Sequence, residues 1–285
     1  MIICIGESLV DIVDGAACPG GSAFNSALAA SRLDGPAIYV GALSSDQWGS
    51  MLMQRLIESC VIFDPDLVNR PEPTMKAFAR IDANGSASYE FEFKGSAATV
   101  LSKKEILDSI SLVENTDFTL FGSVGILIQP SIVEAVKELS KVSFVMFDPN
   151  VRPAFIDDWD SYRALFRELC SISDIVRLSD EDLRYIGMKA SEVLACCKNS
   201  LIITDKDGAD WLFKDGRALH SSSPKVEVVD TIGCGDAFSA AVLVRLQERL
   251  DGEEVSDQEI LDFASRAASL NCTAKGACCP LRSQM

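Results

Sequence analysis

The sequence predicts an α/β fold: a doubly wound, mostly parallel sheet flanked by helices, carrying a small additional β-sheet. Three observations lead there. Short apolar runs recur along the chain and read as buried strands, amphipathic helical stretches separate many of them, and one segment interrupts the alternation with a hairpin signature.

The strands are read at Ile2 to Ile5, Ala37 to Val40, Phe118 to Phe121, Phe144 to Phe147, Asp174 to Leu178 and Leu201 to Thr204. Several are nearly continuous in apolar residues, as strands covered on both faces require. Helical periodicity runs near 47 to 59, 103 to 114, 130 to 140, 159 to 171 and 256 to 274. In such a sheet, ligands bind at the carboxyl ends of the strands. The interruption is Lys76 to Asp82 and Ser86 to Phe93 around Asn84-Gly85. There Tyr89, Phe91 and Phe93 alternate with Ser88, Glu90 and Glu92, which predicts a hairpin with one apolar face that must cover something. Residues 10 to 18 are expected to add another strand to it. The predicted organisation is a core of 1–9, 19–72 and 98–285 with a discontinuous β insertion of 10–18 and 73–97.

The composition fits a soluble enzyme. A chain of 285 residues, 48% hydrophobic, holds one large α/β domain with a small appendage. Forty-two acidic against 26 basic residues give a net charge of −16, which disfavours nucleic-acid and anionic-membrane partners. Any anionic ligand must therefore be held by local donors and a metal. The ten cysteines include the adjacent pairs Cys196/Cys197 and Cys278/Cys279 but no CxxC, so reduced thiols are expected rather than a disulfide or metal framework. A single histidine, His220, excludes a multi-histidine metal site. No signal peptide and no membrane-length apolar run are read, so a cytoplasmic location is expected.

The most informative stretch is VEVVDTIGCGDAFSAA, Val226 to Ala241. Val226, Val228 and Val229 favour an extended backbone. Phe238, Ala241, Val242, Leu246 and Leu250 recur at helical spacing, so the turn between them is expected to join strand to helix. Gly233 and Gly235 let an anion approach the amides, and free N–H groups at a helix start suit a phosphoryl group. Asp236 is then a conflicting charge. A carboxylate there is a poor phosphate binder, but it serves well as a base that takes a proton from an attacking hydroxyl. By itself, the pattern reads first as an ordinary acidic residue in a first helical turn.

DTIGCGDAF resembles the DTxGAGD signature of the ribokinase-like, or PfkB, carbohydrate kinases, with Cys234 where alanine is usual. The resemblance implies a ribokinase-like fold and a phosphotransferase. In it Asp236 is the base and the amides of Gly233, Cys234 and Gly235 form an anion hole. ATP and Mg²⁺ are then cofactors, and the small β-sheet is a lid over a sugar. Monovalent-cation (K⁺) activation is a property of the family, and no residue here by itself assigns it.

Further matches follow along the chain. In CPGGSAFNSALAASRL, Ser22 is expected to cap a helix that points Asn25 into the crevice. GGSAFN resembles the family's amino-terminal signature, which implies that Asp11, Gly21 and Asn25 bind the sugar. FDPNVRP, Phe147 to Pro153, is similar to the DPNxRP of bacterial fructokinases and 2-keto-3-deoxygluconate kinases. Its Asn150 and Arg152 suit hydroxyl or phosphate oxygens. RLSDEDL occupies the place of the family's NxxE, which organises water around Mg²⁺; Ser179 and Asp182 take those positions, and Glu181 can share the role. LIITDKDGA resembles the family's TxGxxGA loop but is one residue short and keeps only one glycine, placing Thr204 and Gly208 at the nucleotide. Thr231, Gly233, Gly235 and Asn271 of the NCTAKGACCP segment complete that side.

The sequence thus reads as an ATP-dependent sugar kinase, most similar to bacterial fructokinases. A 2-keto-3-deoxygluconate or other sugar or nucleoside kinase stays open. So does a silent sugar-binding protein on the same fold, in view of the altered loops. A nicotinamide dehydrogenase is disfavoured because no GxGxxG follows the first strand. An exposed lid edge offers a surface for a homodimer.

Overall fold

Parallel strands require long crossovers, and the chain supplies them as helices laid on both faces of one sheet. The computed structural model describes residues 1–13, 15–81 and 87–285. Strand β1 (Ile2–Ile5) lies inside the sheet and is fully buried, with Ile2 and Cys4 in one core and Ile3 and Ile5 in the other. Strands β2 (Leu9–Val13) and β3 (Ala16–Gly20) follow as an antiparallel pair, so the single strand expected at 10–18 is a hairpin of two. Pro19 is tolerated because β3 is an edge strand.

Helix α1 (Ser22–Arg32) leads into β4 (Ala37–Val40), and α2 (Gln47–Glu58) into the short β5 (Ile62–Phe63). The predicted hairpin is present as β6 (Met75–Ile81) and β7 (Ala87–Glu92), antiparallel from Lys76↔Glu92 to Ile81↔Ala87; its Asn84-Gly85 turn lies outside the described residues. Then come α3 (Lys103–Ile110), β8 (Phe118–Gly122), α4 (Gly125–Ile128), α5 (Pro130–Leu139), β9 (Phe144–Asp148), α6 (Trp159–Ile172) and β10 (Ile175–Ser179). The chain closes with α7 (Asp180–Ile186), α8 (Ala190–Cys196), β11 (Ser200–Thr204), β12 (Gly208–Phe213), β13 (Ala218–Ser222), α9 (Cys234–Leu250) and α10 (Asp257–Asn271).

The large sheet has the order β13-β12-β11-β10-β9-β8-β1-β4-β5, antiparallel only at β12 and β13. β1 pairs with β4 on one side and β8 on the other, so the strand order reverses at β1 and opens a crevice beyond its carboxyl end. The four-stranded sheet β3-β2-β6-β7 stands beside that crevice. Its apolar side, with Leu9, Met75 and Ala77, packs on Ala98 and Val124, and Phe91 and Phe93 meet Phe155 at ring distances of 4.7 and 5.0 Å. The hairpin therefore covers the segment that follows β9 rather than the face of the main sheet.

One expected strand does not form. Val226 to Val229 runs outside both sheets, with Val228 and Val229 61% and 60% exposed. β-branched residues favour a strand only where a neighbouring edge and a packed face receive them. Here the amides of Val229 and Asp230 donate instead to the Cys272 carbonyl at 2.8 and 3.2 Å.

Asp46 ties the two sheets together. Its carboxylate accepts the Trp48 and Gly49 amides as the cap of α2, and also the amide and hydroxyl of Thr74 at 2.8 and 2.7 Å, immediately before β6. Asp46→Ala removes all four bonds and should cost about 1–3 kcal/mol in urea denaturation. An unchanged midpoint would mean that β6 is anchored by its apolar face alone.

Candidate active site

The site is built around the first turns of two helices that face each other, α1 and α9. At the end of β1 the carboxylate of Glu7, 2% exposed, accepts the Ser22 amide at 3.1 Å and the Gly125 amide at 2.9 Å. One side chain thus satisfies helix-start donors of both α1 and α4. Burial pushes its carboxyl up, opposed by those amide donors. Gly21 has φ +107°, and a Cβ there would lie 2.5 Å from the Glu7 carbonyl oxygen, so only glycine lets α1 begin this close to β1.

Ser22 does not cap α1 as the sequence suggested. Gly21 holds the cap position, and the Ser22 hydroxyl donates to Asp236 Oδ1 at 2.6 Å. Asn25, one turn along, donates from Nδ2 to Asp236 Oδ2 at 2.9 Å. Rather than standing free in an open crevice, Asn25 is a direct partner of the expected base. Asp236, 7% exposed and third in α9, therefore has a donor on each oxygen. Burial raises its pKa to about 6; Ser22 and Asn25 pull it down, Asp148 adds to the rise and Arg152 opposes it. It is ionised near neutrality, yet basic enough to accept a proton.

The glycine turn packs tightly behind this carboxylate. Gly233 is left-handed (φ 77°, ψ 1°), and a Cβ there would come within 2.5 Å of the Ala277 side chain. Asp230 holds the turn by accepting the Ile232 amide at 3.0 Å and the Gly276 amide at 2.8 Å. Of the three amides expected to face an anion, that of Cys234 is directed to the Thr231 carbonyl at 3.3 Å. Thr231 itself is exposed. Asn271, placed on the nucleotide side from sequence, is 1% exposed and donates to the Ile232 carbonyl at 2.8 Å. As the last residue of α10 it points inward, so its contact is with the back of the turn. Its Oδ1 and that of Asn25 have no protein donor, and both residues line the same narrow cavity behind Gly233.

Beneath the turn lies a residue that sequence reasoning passed over. Arg177, 7% exposed on β10, pairs with Asp148 at 3.4 Å and donates to Thr204 Oγ1 at 2.5 Å. Ser239 of α9 donates to the same Asp148 at 2.7 Å. A Cβ on Gly235 would lie 2.6 Å from Arg177 Nη1, so the missing side chain is what brings the guanidinium against the turn. Positive charge thus adds to the helix dipole where an anion would sit. The readable signal was a charge inside the otherwise apolar strand Ile175–Ser179.

The remaining predicted residues divide into two groups. Asp11 on β2 lies over Gly20, where a Cβ would be 2.3 Å from its Oδ2. Burial lifts Asp11 to about 6, with Arg152 lowering and Asp230 raising it, so β2, the post-β9 segment and the glycine turn share one electrostatic neighbourhood. Arg152 is exposed, and Asn150 adopts a left-handed φ of 38°. Thr204 and Gly208 are committed to the sheet: Thr204 binds Arg177, and a Cβ on Gly208 would lie 2.2 Å from the Ser221 carbonyl oxygen. Asp182 is 4% exposed and accepts the Val151 amide at 2.7 Å, with its other oxygen on the amide and hydroxyl of Ser179. Glu181 accepts the Tyr185 hydroxyl at 3.0 Å. Among the described residues no three His, Cys, Asp or Glu side chains converge to hold a metal ion. Asp182 is thus engaged by Val151 and Ser179, and Glu181 by Tyr185.

A helix-start anion turn with a buried carboxylate of raised pKa inside it suits phosphoryl transfer to a hydroxyl. Residues 7–284 match the family model described as pfkB family carbohydrate kinase. The chain belongs to that family, whose members are phosphotransferases with an alcohol group as acceptor. A fructokinase of Rhizobium leguminosarum bv. trifolii is 32% identical over 266 residues, covering 87% of this chain and 80% of its own. Of solved structures, a Xylella fastidiosa fructokinase with bound ATP superposes with TM-score 0.88 at 25% identity, covering 99% of this chain and 96% of that one. A Vibrio cholerae fructokinase with fructose, ADP and calcium gives 0.81 at 26% identity, covering 97% and 94%.

The raised carboxyl of Asp236 also predicts a stability effect. From the ordinary ~3.9 up to about 6, the folded state binds more protons than the unfolded one, so stability falls as pH rises through that window and stays lower above it. Asp236→Asn should therefore raise Tm at pH 8, by on the order of 1–3 kcal/mol of stability, and lose that advantage near pH 4. A Tm at pH 8 below the wild-type value would show that the carboxylate stabilises the turn.

Proposed function

We propose that this protein is an ATP-dependent sugar kinase that moves the γ-phosphoryl group of ATP to a hydroxyl of D-fructose. The observation that carries the reading is Asp236. A buried carboxylate with a pKa of about 6 lies between the sugar-side residues Ser22 and Asn25 and the glycine turn. The names of the similar proteins support the substrate pair: the Rhizobium relative is a fructokinase, and the Vibrio structure holds fructose and ADP.

In this reading Asp11, Gly21, Asn25, Asn150 and Arg152 orient the sugar. The small sheet acts as a lid that limits water, with 10–18 and 73–97 as its insertion and the rest of the chain as the core. Asp236 accepts the proton of the attacking hydroxyl as its oxygen bonds to the γ-phosphorus, and the bond to the β-phosphate oxygen breaks with ADP leaving in line. The amides of Gly233 and Gly235, backed by Arg177, take the charge on the transferring group. The Cys234 amide contributes once it turns from Thr231. Thr204, Gly208, Thr231 and Asn271 shape the nucleotide side, Asn271 by holding the turn. Asp182 acts by fixing the 150–152 segment through Val151. Mg²⁺ arrives with ATP and neutralises phosphate charge, largely through water. A cytoplasmic location and K⁺ activation belong to the same reading.

Three results test it. With ATP and Mg²⁺, fructose should turn over faster than 2-keto-3-deoxygluconate or ribose in a coupled ADP assay; preference for another sugar would move the assignment within the family. Asp236→Asn should keep ATP binding but lose ~10²- to 10⁴-fold in kcat, the range a general base supplies. For the wild type, kcat/KM should fall below about pH 6 as Asp236 takes up a proton; a flat profile from pH 5 to 8 would remove it as the base.

A further inference from the structure

The two donors on Asp236 are chemically unequal. Asn25 meets Oδ2 through an amide N–H at 2.9 Å, and an amide nitrogen has no acceptor site with which to take a proton in exchange. Ser22 meets Oδ1 through a hydroxyl at 2.6 Å, which gives one proton and keeps its oxygen lone pairs as acceptors. That distance falls in the short range of a hydroxyl on an ionised carboxylate. Among the described residues no group donates to the Ser22 hydroxyl oxygen, so its acceptor side is unused. Exposure separates the three groups as well: Asn25 and Asp236 are each 7% exposed, whereas Ser22 is half-buried and the more open. Its place is fixed from both sides. As the first residue of α1 it has its amide held by Glu7 at 3.1 Å, and two residues earlier Gly20 lies against the carboxylate of Asp11 on β2, where a Cβ would be 2.3 Å from Oδ2. The hydroxyl thus joins the β2 side of the crevice to the carboxylate on α9.

We propose that Ser22 is a catalytic residue that relays the proton of the sugar's attacking hydroxyl to Asp236, a role that rests on the kinase reading. As the sugar oxygen bonds to the γ-phosphorus, its O–H bond breaks and the proton passes to Ser22 Oγ. The proton that Ser22 already donates crosses to Asp236 Oδ1 along the existing hydrogen bond. The bond from the γ-phosphorus to the bridging oxygen breaks, and ADP leaves with the electron pair. One proton has left the sugar and one has reached the carboxylate. The two transfers occur together, so Ser22 carries no net charge at any point and ends as a neutral hydroxyl. A carboxyl raised to about 6 then gives its proton to water at neutral pH, and the Ser22 hydroxyl turns back to it. Asn25 has no part in the transfer and holds the second oxygen in place.

Two protons in motion leave a signature that a purely positioning serine lacks. The single-turnover rate of phosphoryl transfer is measured by rapid quench with ATP, Mg²⁺ and the best sugar of the panel, in mixtures of H₂O and D₂O on the level part of the pH profile. For the wild type the rate should fall with deuterium along a curved line, as two transferred protons require. Ser22→Ala should be slower by roughly 10- to 100-fold, the range of a hydrogen bond to a charged group, with a straight line and little change in KM for ATP. Ser22→Thr, which keeps a hydroxyl, should restore the curvature and most of the rate. A straight line or no isotope effect in the wild type, equal curvature in Ser22→Ala, or a Ser22→Thr as slow as Ser22→Ala would overturn the relay. The kinase reading is judged separately by turnover on the panel. If no sugar turns over, that reading falls and the relay with it; if Asp236→Asn loses turnover while Ser22→Ala keeps it, the relay alone falls.

Discussion

The constraint that organises this protein is the need to keep one carboxylate dry and still ionisable. Asp236 is almost sealed from solvent, yet each of its oxygens is met by a donor from α1. Without those donors, burial would push the carboxyl further up, against the role of base proposed for it. With stronger ones it would be too acidic to take a proton. Much of the surrounding architecture serves that balance. Glu7 brings the start of α1 against β1, Gly21 removes the Cβ that would hold the helix away, and the strand reversal at β1 puts α1 opposite α9.

A second balance concerns charge. The chain carries −16 overall, and the crevice itself contains Asp11, Asp230 and Asp236. In the proposed reading an anionic nucleotide is met by local positive potential, from the buried Arg177, the exposed Arg152 and the amino terminus of the 17-residue α9. Arg177 is itself held by Asp148 and Thr204, so its charge lies in a fixed place beneath the turn rather than on a flexible surface chain.

Much of the fold was legible because local signals agreed with the tertiary outcome. Continuous apolar runs became the buried parallel strands, and the alternation of Phe91 and Phe93 with acidic residues became β7 with its apolar side against Phe155. Where local preference lacked a partner it failed: Val226 to Val229 has strand-like composition but no sheet edge, and runs exposed. Ser22 shows the opposite case. It carries a good capping side chain, and a long-range acceptor claimed that hydroxyl instead.

The sequence by itself determined the sheet class, the order of strands and helices and the presence of a glycine turn with an acid in it, because these depend on periodicity and on backbone freedom within a few residues. Only the tertiary structure decided that Ser22 and Asn25 hold Asp236, across 214 and 211 positions, and that Arg177 lies under Gly235. Those contacts set burial, charge and proton affinity. They depend on distances between segments that no local pattern encodes.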